Sequence, residues 1–379
     1  MISESREGIS LQRGDEDLRI AYVARYPLGS PSGVLDKIVG QAAEWQAHGH
    51  SVKLFGLSGD GWSAIPPAIA NECASTKGYL GRLWSLPALF RDVASWGPDL
   101  IYLRYFTYQP GLGRVFTAAP VVVEVNANDT AEMALVSRMS HVYNLATRSR
   151  VLRKASAFVF VTNELASAPS FRDFAQTRTA IGNGVSLAAI PLRAKTPNND
   201  RPRFVFLGSA GCAWHGLDKI LRLAAAMPSW QFDIVCGTHF PSRSLSANVT
   251  CHGRLTRDRY WPILAAADVA ISTLALHREG LNEASPLKTR EYLAAGVPTI
   301  VAYRDTDFLH GAPLLLELQN VEDNILPQIG RIDDFVRRMR GVTVSRSSIA
   351  HLDWSEKESL RLAFFRDAVE ASRTKDTLG

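Results

Sequence analysis

The chain has 379 residues, 46% hydrophobic and 21% charged, a mix that supplies a globular core and excludes a disordered or fibrous chain. The formal net charge of +5 is shared by both halves, so neither is a basic pole for nucleic acid. Four cysteines (Cys73, Cys212, Cys236, Cys251) lack CxxC spacing. They read as reduced core thiols of a cytoplasmic protein rather than a disulfide frame or a zinc site.

No stretch approaches the ~20 apolar residues of a membrane span. Residues 1–17 are polar, without the apolar region of a signal peptide, and are predicted to be a mobile leader. Residues 20–25 (IAYVAR) form an apolar run of strand length. A turn-rich loop, YPLGSPSG, leads into an amphipathic helix over 34–47, and HGHSVKLFGL supplies its stop and the next strand. GYLGRLWSLPALFRDVASW, from Gly78, mixes Trp, Leu, Phe and Arg as a membrane-surface helix does; packing against a sheet is the favoured reading. DLIYLRY from Asp99, APVVVEV from Ala119 and AFVFVT from Ala157 follow as strands. Near-continuous apolar strands between helices predict a parallel sheet covered on both faces.

The second half repeats this order, with strands RFVFLGS, FDIVCG, NVTCHG, DVAIST and VPTIVAY. LRAKTPNNDRPR, between the halves, has the polar, proline-containing chemistry of a linker. The expected fold is α/β, with two doubly wound Rossmann-like domains over 18–190 and 191–350 facing a cleft, and a hinge near 185–202. A helix over 355–372, within the segment 351–379, is expected to strap the domains. Ligands of such sheets bind beyond the carboxyl ends of the strands.

The segment ADVAISTLALHREGLNEASPLKTREYLAAGVPTIV carries the most chemistry. A strand ends near Thr273, and a loop holds His277, Arg278, Glu279 and Glu283. Ser285 is suited to cap a helix over 286–295, with Pro286 in its first turn and Gly296 as its stop. The free N–H groups of Leu287 and Lys288 and the Lys288 ammonium favour a diphosphate. Glu291 can accept from ribose hydroxyls, and Glu283 from sugar hydroxyls. On spacing alone, solvated surface charges remain the commoner explanation of such glutamates.

EASPLKTREYLAAGVPTIV, with Glu283 and Glu291 eight positions apart, resembles the paired-glutamate motif of retaining glycosyltransferases of the GT-B fold, family 4 in particular. The resemblance runs from about Ile20 to Trp354. GSPSGV (with Ser32 and Gly33) is similar to the N-terminal glycine-rich loop, and GNGV at 182–185 to the segment before the linker. FLGSAGCAWHGLDKI (with Gly208, Ser209, His215 and Gly216) is similar to the first loop of the nucleotide domain. CHGRL (with Gly253 and Leu255) is similar to the loop that reads the base. The resemblance implies that Glu283 contacts the transferred sugar and Glu291 the ribose. It also implies that the nucleotide-diphosphate sugar is a substrate and that no metal or other cofactor is required. One departure stands out: where the family offers arginine and lysine to the diphosphate, this chain has Ser209 and His215-Gly216.

In the first half, Asn126 and Asp129 of VVVEVNANDTAEM, and Arg104 after DLIYL, are candidates for acceptor or sugar contact; an Asx-rich turn and surface pairing are the competing readings. The expected partners are a nucleotide sugar and a glycan or lipid-linked acceptor, with peripheral association at the inner face of the membrane and no nucleic acid. The expected activity is retaining sugar transfer in bacterial polysaccharide or glycoconjugate synthesis. A non-catalytic nucleotide-sugar-binding partner of an assembly complex is the alternative. An epimerase lacks its acid/base set here. A dehydrogenase lacks a strand followed by GxGxxG and an acidic residue about 20 positions on.

Overall fold

The computed structural model of the protein describes residues 17–25, 33–58, 65–75, 79–194, 197–237 and 245–378. Seven strands make the first sheet: β1 (Arg19–Arg25), β2 (Ser51–Ser58), β3 (Ala70–Ser75), β4 (Leu100–Arg104), β5 (Val121–Val125), β6 (Ala157–Phe160) and β7 (Thr177–Ala180). They lie in the order β3-β2-β1-β4-β5-β6-β7, all parallel. The central strands are buried along their length because helices cover both faces, so β-branched and aromatic residues fill both sides. Helix α1 (Gly33–Ala47) packs Leu35, Ile38, Ala42 and Trp45 on one face, and α2 (Tyr79–Ser95) packs Leu86, Leu89, Phe90 and Val93 on the other. Four short helices complete this half: α3 (Asp129–Val136), α4 (Arg138–Thr147), α5 (Ser149–Leu152) and α6 (Asn163–Ser167).

The second sheet is built from β8 (Arg203–Leu207), β9 (Gln231–Val235), β10 (Val249–Cys251), β11 (Val269–Ile271), β13 (Thr299–Val301) and β15 (Leu315–Glu317). Their order is β10-β9-β8-β11-β13-β15, again parallel. Two further short strands, β12 (Glu283–Ala284) and β14 (Arg304–Asp305), pair with each other apart from it. Helices α7 (Leu217–Ala226) and α10 (Ile329–Met339) cover one face; α8 (Arg257–Ala265) and α9 (Leu287–Ala294) cover the other. In each sheet the strand order reverses beside the first strand, between β1 and β4 and between β8 and β11. Arg104 ends β4, and Gly208 and Thr273 follow β8 and β11, so both switch points lie at the strand ends that the sequence marked.

The last helix, α11 (Trp354–Leu378), begins one residue earlier and ends six later than expected. It presses Leu362, Phe365 and Val369 onto the first domain beside Trp45 and Tyr102. Arg361 donates to the Tyr102 hydroxyl (2.8 Å), and Glu358 accepts from Trp45 Nε1 (2.8 Å). At its start, Lys357 forms an ion pair with Asp307 of the second domain, so the helix binds both halves. Gly40 faces the Trp354 ring with no room for a Cβ, which is the requirement for glycine in the middle of α1. No disulfide joins the four cysteines. Strands β3, β7, β12, β14 and β15 escaped the sequence reading, being short or polar.

Candidate active site

A cleft cavity of about 340 Å³ lies between the domains. Its second-domain wall is the segment the sequence singled out. From Thr273 the chain makes a 3-10 turn over Leu276–Glu279, enters β12 and reaches α9. Helix α9 starts one residue later than predicted, and Pro286 (φ −72°, ψ 135°) is the residue just before it. Ser285 caps nothing: its Oγ accepts from Asn183 N (2.7 Å) and from Arg290 Nη2 (2.8 Å), stronger partners than the first-turn N–H groups. Thr289 N and Arg290 N donate to Pro286 O (3.1 and 3.4 Å), so the Leu287 and Lys288 N–H groups are the ones open to a ligand.

Glu283 is buried in the cavity wall, and its carboxylate accepts three hydrogen bonds from the first domain. Asn163 N (3.1 Å), Asn163 Nδ2 (3.2 Å) and Glu164 N (2.9 Å) are the donors. Glu164 returns the interaction by accepting from Asn282 N (2.8 Å) and Glu283 N (2.6 Å). This reciprocal clasp joins the domains at the residue assigned to the sugar.

Lys288 lines the same wall. Its Nζ lies over the Phe206 ring at 4.6 Å, is buried, and has no hydrogen-bond partner among the described residues. Burial pushes this ammonium down to about 7. An unpartnered buried cation is costly, and an anion in the cavity would offset that cost. His215, also in the wall, is driven down to about 3 by burial first and by Lys288 second, and its Nδ1 has no partner. It is therefore a neutral donor or acceptor at any ordinary pH. Gly216, at φ 71°, ends the turn that carries His215 and packs against Leu274. Leu287 and Pro286 complete this wall, and a Cβ on Gly33 would stand 3.4 Å from Leu287 Cδ1.

The remaining donor-side residues stand outside the cavity lining. Glu291 points to α8, where it accepts from Tyr260 Oη (2.6 Å) and Arg257 Nε (3.2 Å). Arg257 in turn reaches Asp36 of α1 (2.8 Å). Gly208, whose Cβ would strike the Phe206 ring, donates its N–H to Val235 O (2.9 Å), and Ser209 is exposed beyond it. Gly253 turns the chain after β10 at φ 69°, and Leu255 packs on the core under α8. Ser32 lies outside the described residues.

On the first-domain wall, Arg104 and Asn126 line the cavity, as does Lys37 of α1. Lys37 Nζ pairs with Glu124 (2.7 Å) and donates to Asn126 Oδ1 (3.0 Å). Burial lowers it to about 8 against the pull of Glu124. Burial alone would raise the Glu124 carboxyl; Lys37, Arg104 and Arg361 outweigh it and hold the group well below the usual carboxylate range. Asp129 is not brought to the cavity. It forms a bidentate ion pair with Arg148 (2.8 Å at both contacts) and accepts from Asn144 (2.7 Å), a structural role.

The sequence reading missed Lys37, Glu164 and Arg290. Lys37 occupies the inward stripe of α1 with Ile38, Gln41 and Trp45, where an apolar residue is usual, and that was a legible signal. Arg290, fully buried, donates to Asp305, Asp307, Ser285 and Asn183 O and so ties α9 to β14 and to the interdomain segment; helix periodicity gives no hint of it. Glu279, one of the loop charges, lines the cavity, and burial first and Glu132 second raise it to about 7. Among the described residues no group of three or more His, Cys, Asp or Glu is placed to hold a metal.

Two facing parallel sheets with switch points on a shared cleft, closed by a C-terminal helix, define the GT-B fold of glycosyltransferases. Solved structures agree at low identity. A glycosyltransferase from Rickettsia africae shares 11% identity at a TM-score of 0.65, covering 94% of this chain and 99% of that one. Anabaena HepE, solved with UDP and glucose, shares 16% at 0.62, covering 92% and 99%. WaaG, a glycosyltransferase involved in lipopolysaccharide biosynthesis, shares 14% at 0.61, covering 89% and 94%. Residues 32–184 match the family described as a glycosyl transferase 4-like domain. No curated protein sequence matches the chain.

Proposed function

We propose that the protein transfers a sugar from a nucleotide-diphosphate sugar to a glycan or lipid-linked acceptor with retention of configuration and without a metal. The Lys288 ammonium, buried, unpartnered and beside the free N–H groups of α9, carries this reading: it is a diphosphate position awaiting its anion. Glu283 stands in the same wall, where it accepts from hydroxyls of the transferred sugar. In the reaction the bond between the anomeric carbon and the diphosphate oxygen breaks, and the electron pair leaves with the phosphate. The acceptor oxygen attacks from the same face, and its proton passes to the departing phosphate oxygen. Lys288 and the α9 N–H groups stabilise the leaving charge. The clasp between Glu283 and Glu164 closes the cleft and excludes water, which would otherwise compete as acceptor.

Glu291 binds the ribose once the nucleotide displaces part of its bonding to Arg257 and Tyr260. Anabaena HepE, seen with UDP and glucose, supports a sugar nucleotide as the class of donor. A thermal-shift panel of nucleotide sugars tests the reading. A true donor at 100 times its Kd raises stability by about 2.7 kcal/mol, and Lys288→Met should cut that rise to about half or less. Turnover of that donor lost in Glu283→Ala, with binding kept, completes the test. A protein indifferent to every nucleotide sugar refutes it.

A further inference from the structure

Helix α4 is built inside out. Its inward side is polar: Asn144 is fully buried and donates to Asp129, Thr147 is buried, and Arg148 at the helix end completes the Asp129 pair. Its outward side is apolar. Met139 is 84% exposed, Val142 57%, Leu145 50% and Tyr143 43%. With about 100° per residue, these four share one arc of roughly 160° with Arg138 and Ala146. Because the Asp129 cluster takes the polar residues inward, the apolar stripe is left at the surface among the described residues, touching its own domain only along the edge that carries Tyr143.

Charge around the stripe selects what covers it. From Met133 to Asn163 there is no Asp or Glu, whereas Arg138, Arg148, Arg150, Arg153 and Lys154 are basic. Arg148 is spent on Asp129, and the other four are exposed. Arg150 lies over the Tyr108 ring (5.5 Å), and the Tyr143 hydroxyl donates to Tyr108 O (3.1 Å), so a cation and an amphipathic ring sit together at the edge of the stripe. Apolar side chains flanked by arginine and tyrosine, in a stretch of 31 residues without a carboxylate, match the headgroup layer of an anionic bilayer. A second copy fits poorly, because a two-fold contact would set these arginines against each other.

We propose that α4 docks the protein on an anionic lipid surface, with Met139, Val142 and Leu145 in the acyl boundary and Arg138 and Arg150 on lipid phosphates. The stretch whose composition resembled a membrane helix, α2, instead packs Leu86, Leu89, Phe90 and Val93 into the core. Helix α4 follows α3, which starts just after the cavity-lining Asn126 and Ala127, so docking sets the first-domain wall of the cleft near the bilayer. The inference stands apart from the donor site.

The test is co-sedimentation of the full chain with phosphatidylcholine vesicles, with or without about one-third phosphatidylglycerol. We expect binding to the anionic vesicles alone, and release on raising salt from ~0.05 to ~0.5 M. R138Q/R150Q should weaken binding about 30-fold, and M139S/V142S/L145S should abolish it. Both variants should keep the wild-type Tm, since the altered side chains are exposed. Absence of binding to anionic vesicles, or variants that bind as wild type does, overturns the proposal. So does a dimer in gel filtration that these substitutions dissociate.

Discussion

Replacing Glu164 with alanine tests whether the clasp on Glu283 is a working part of the site. The substitution removes the acceptor of Asn282 N at 2.8 Å and Glu283 N at 2.6 Å. Hydrogen bonds to a charged group contribute about 1.5–3 kcal/mol each, so the pair is worth about 3–6 kcal/mol before water replaces part of it. Glu164 is half-buried, and about 1.5–3 kcal/mol is a reasonable remainder. That loss falls on the closed arrangement alone, because separated domains leave the same groups solvated. At 1.4 kcal/mol per factor of ten, the closed population drops about 10- to 100-fold. Donor turnover, measured as sugar transfer or slow hydrolysis, should lose that factor in kcat/KM. Nucleotide affinity, which rests on the second-domain wall, should change by less than about 3-fold. Glu164→Gln, keeping one acceptor oxygen, should fall between. Wild-type kcat/KM in Glu164→Ala, or a loss matched by an equal loss of nucleotide affinity, would refute the reasoning.

Lys288 gives a prediction of opposite signs. Its folded value of about 7 lies below the ordinary 10.5, so the cost of burying the charge is full below pH 7 and is relieved as pH rises from 7 towards 10.5. Lys288→Met should therefore raise the Tm of the ligand-free protein by ~2 °C or more at pH 6, while weakening nucleotide binding at least about 10-fold; equal Tm values at pH 6 would count against the buried charge. In the wild type, diphosphate affinity measured by calorimetry should fall as pH rises above about 7, as the ammonium is lost from the free site. His215, held neutral down to about 3, should add no inflection to that profile near pH 6.5, and a His215→Gln variant should show the same profile shape. Gly40→Ala should cost about 1–3 kcal/mol in denaturant unfolding by pushing the Trp354 ring off α1; an unchanged midpoint would mean that the strap yields freely. Arg290→Met should cost about 3–5 kcal/mol, because Asp305 and Asp307 lose their buried partner, with urea titration as the readout.

The fold was legible where strands are buried on both faces. VVVEV, AFVF and RFVFL cannot be solvated on either side, and their alternation with amphipathic helices leaves a parallel sheet as the economical solution. The strands that escaped, such as ANECAS and TRTA, lie at sheet edges, where one side meets water and the apolar signal fades. The start of α9 moved by one residue because Ser285 found partners 102 positions away in Asn183, a contact that no local rule contains.

The site divides in the same way. Residue order alone placed Glu283 in a strand-to-helix loop and Lys288 in the first turn of the helix that follows, since backbone geometry at such a junction is local and is set by Ser, Pro and Gly. Which groups face the cavity was decided by the packing of one domain on the other. Contacts within each domain turned Asp129 to Arg148 and gave Glu291 to Tyr260 and Arg257, while the meeting of the domains put Lys37 in a shared wall and completed the surroundings of Glu283 with N–H groups from Asn163 and Glu164. A carboxylate 120 residues distant in the chain from its donors takes them only once both sheets have formed and met, so its environment belongs to the tertiary structure.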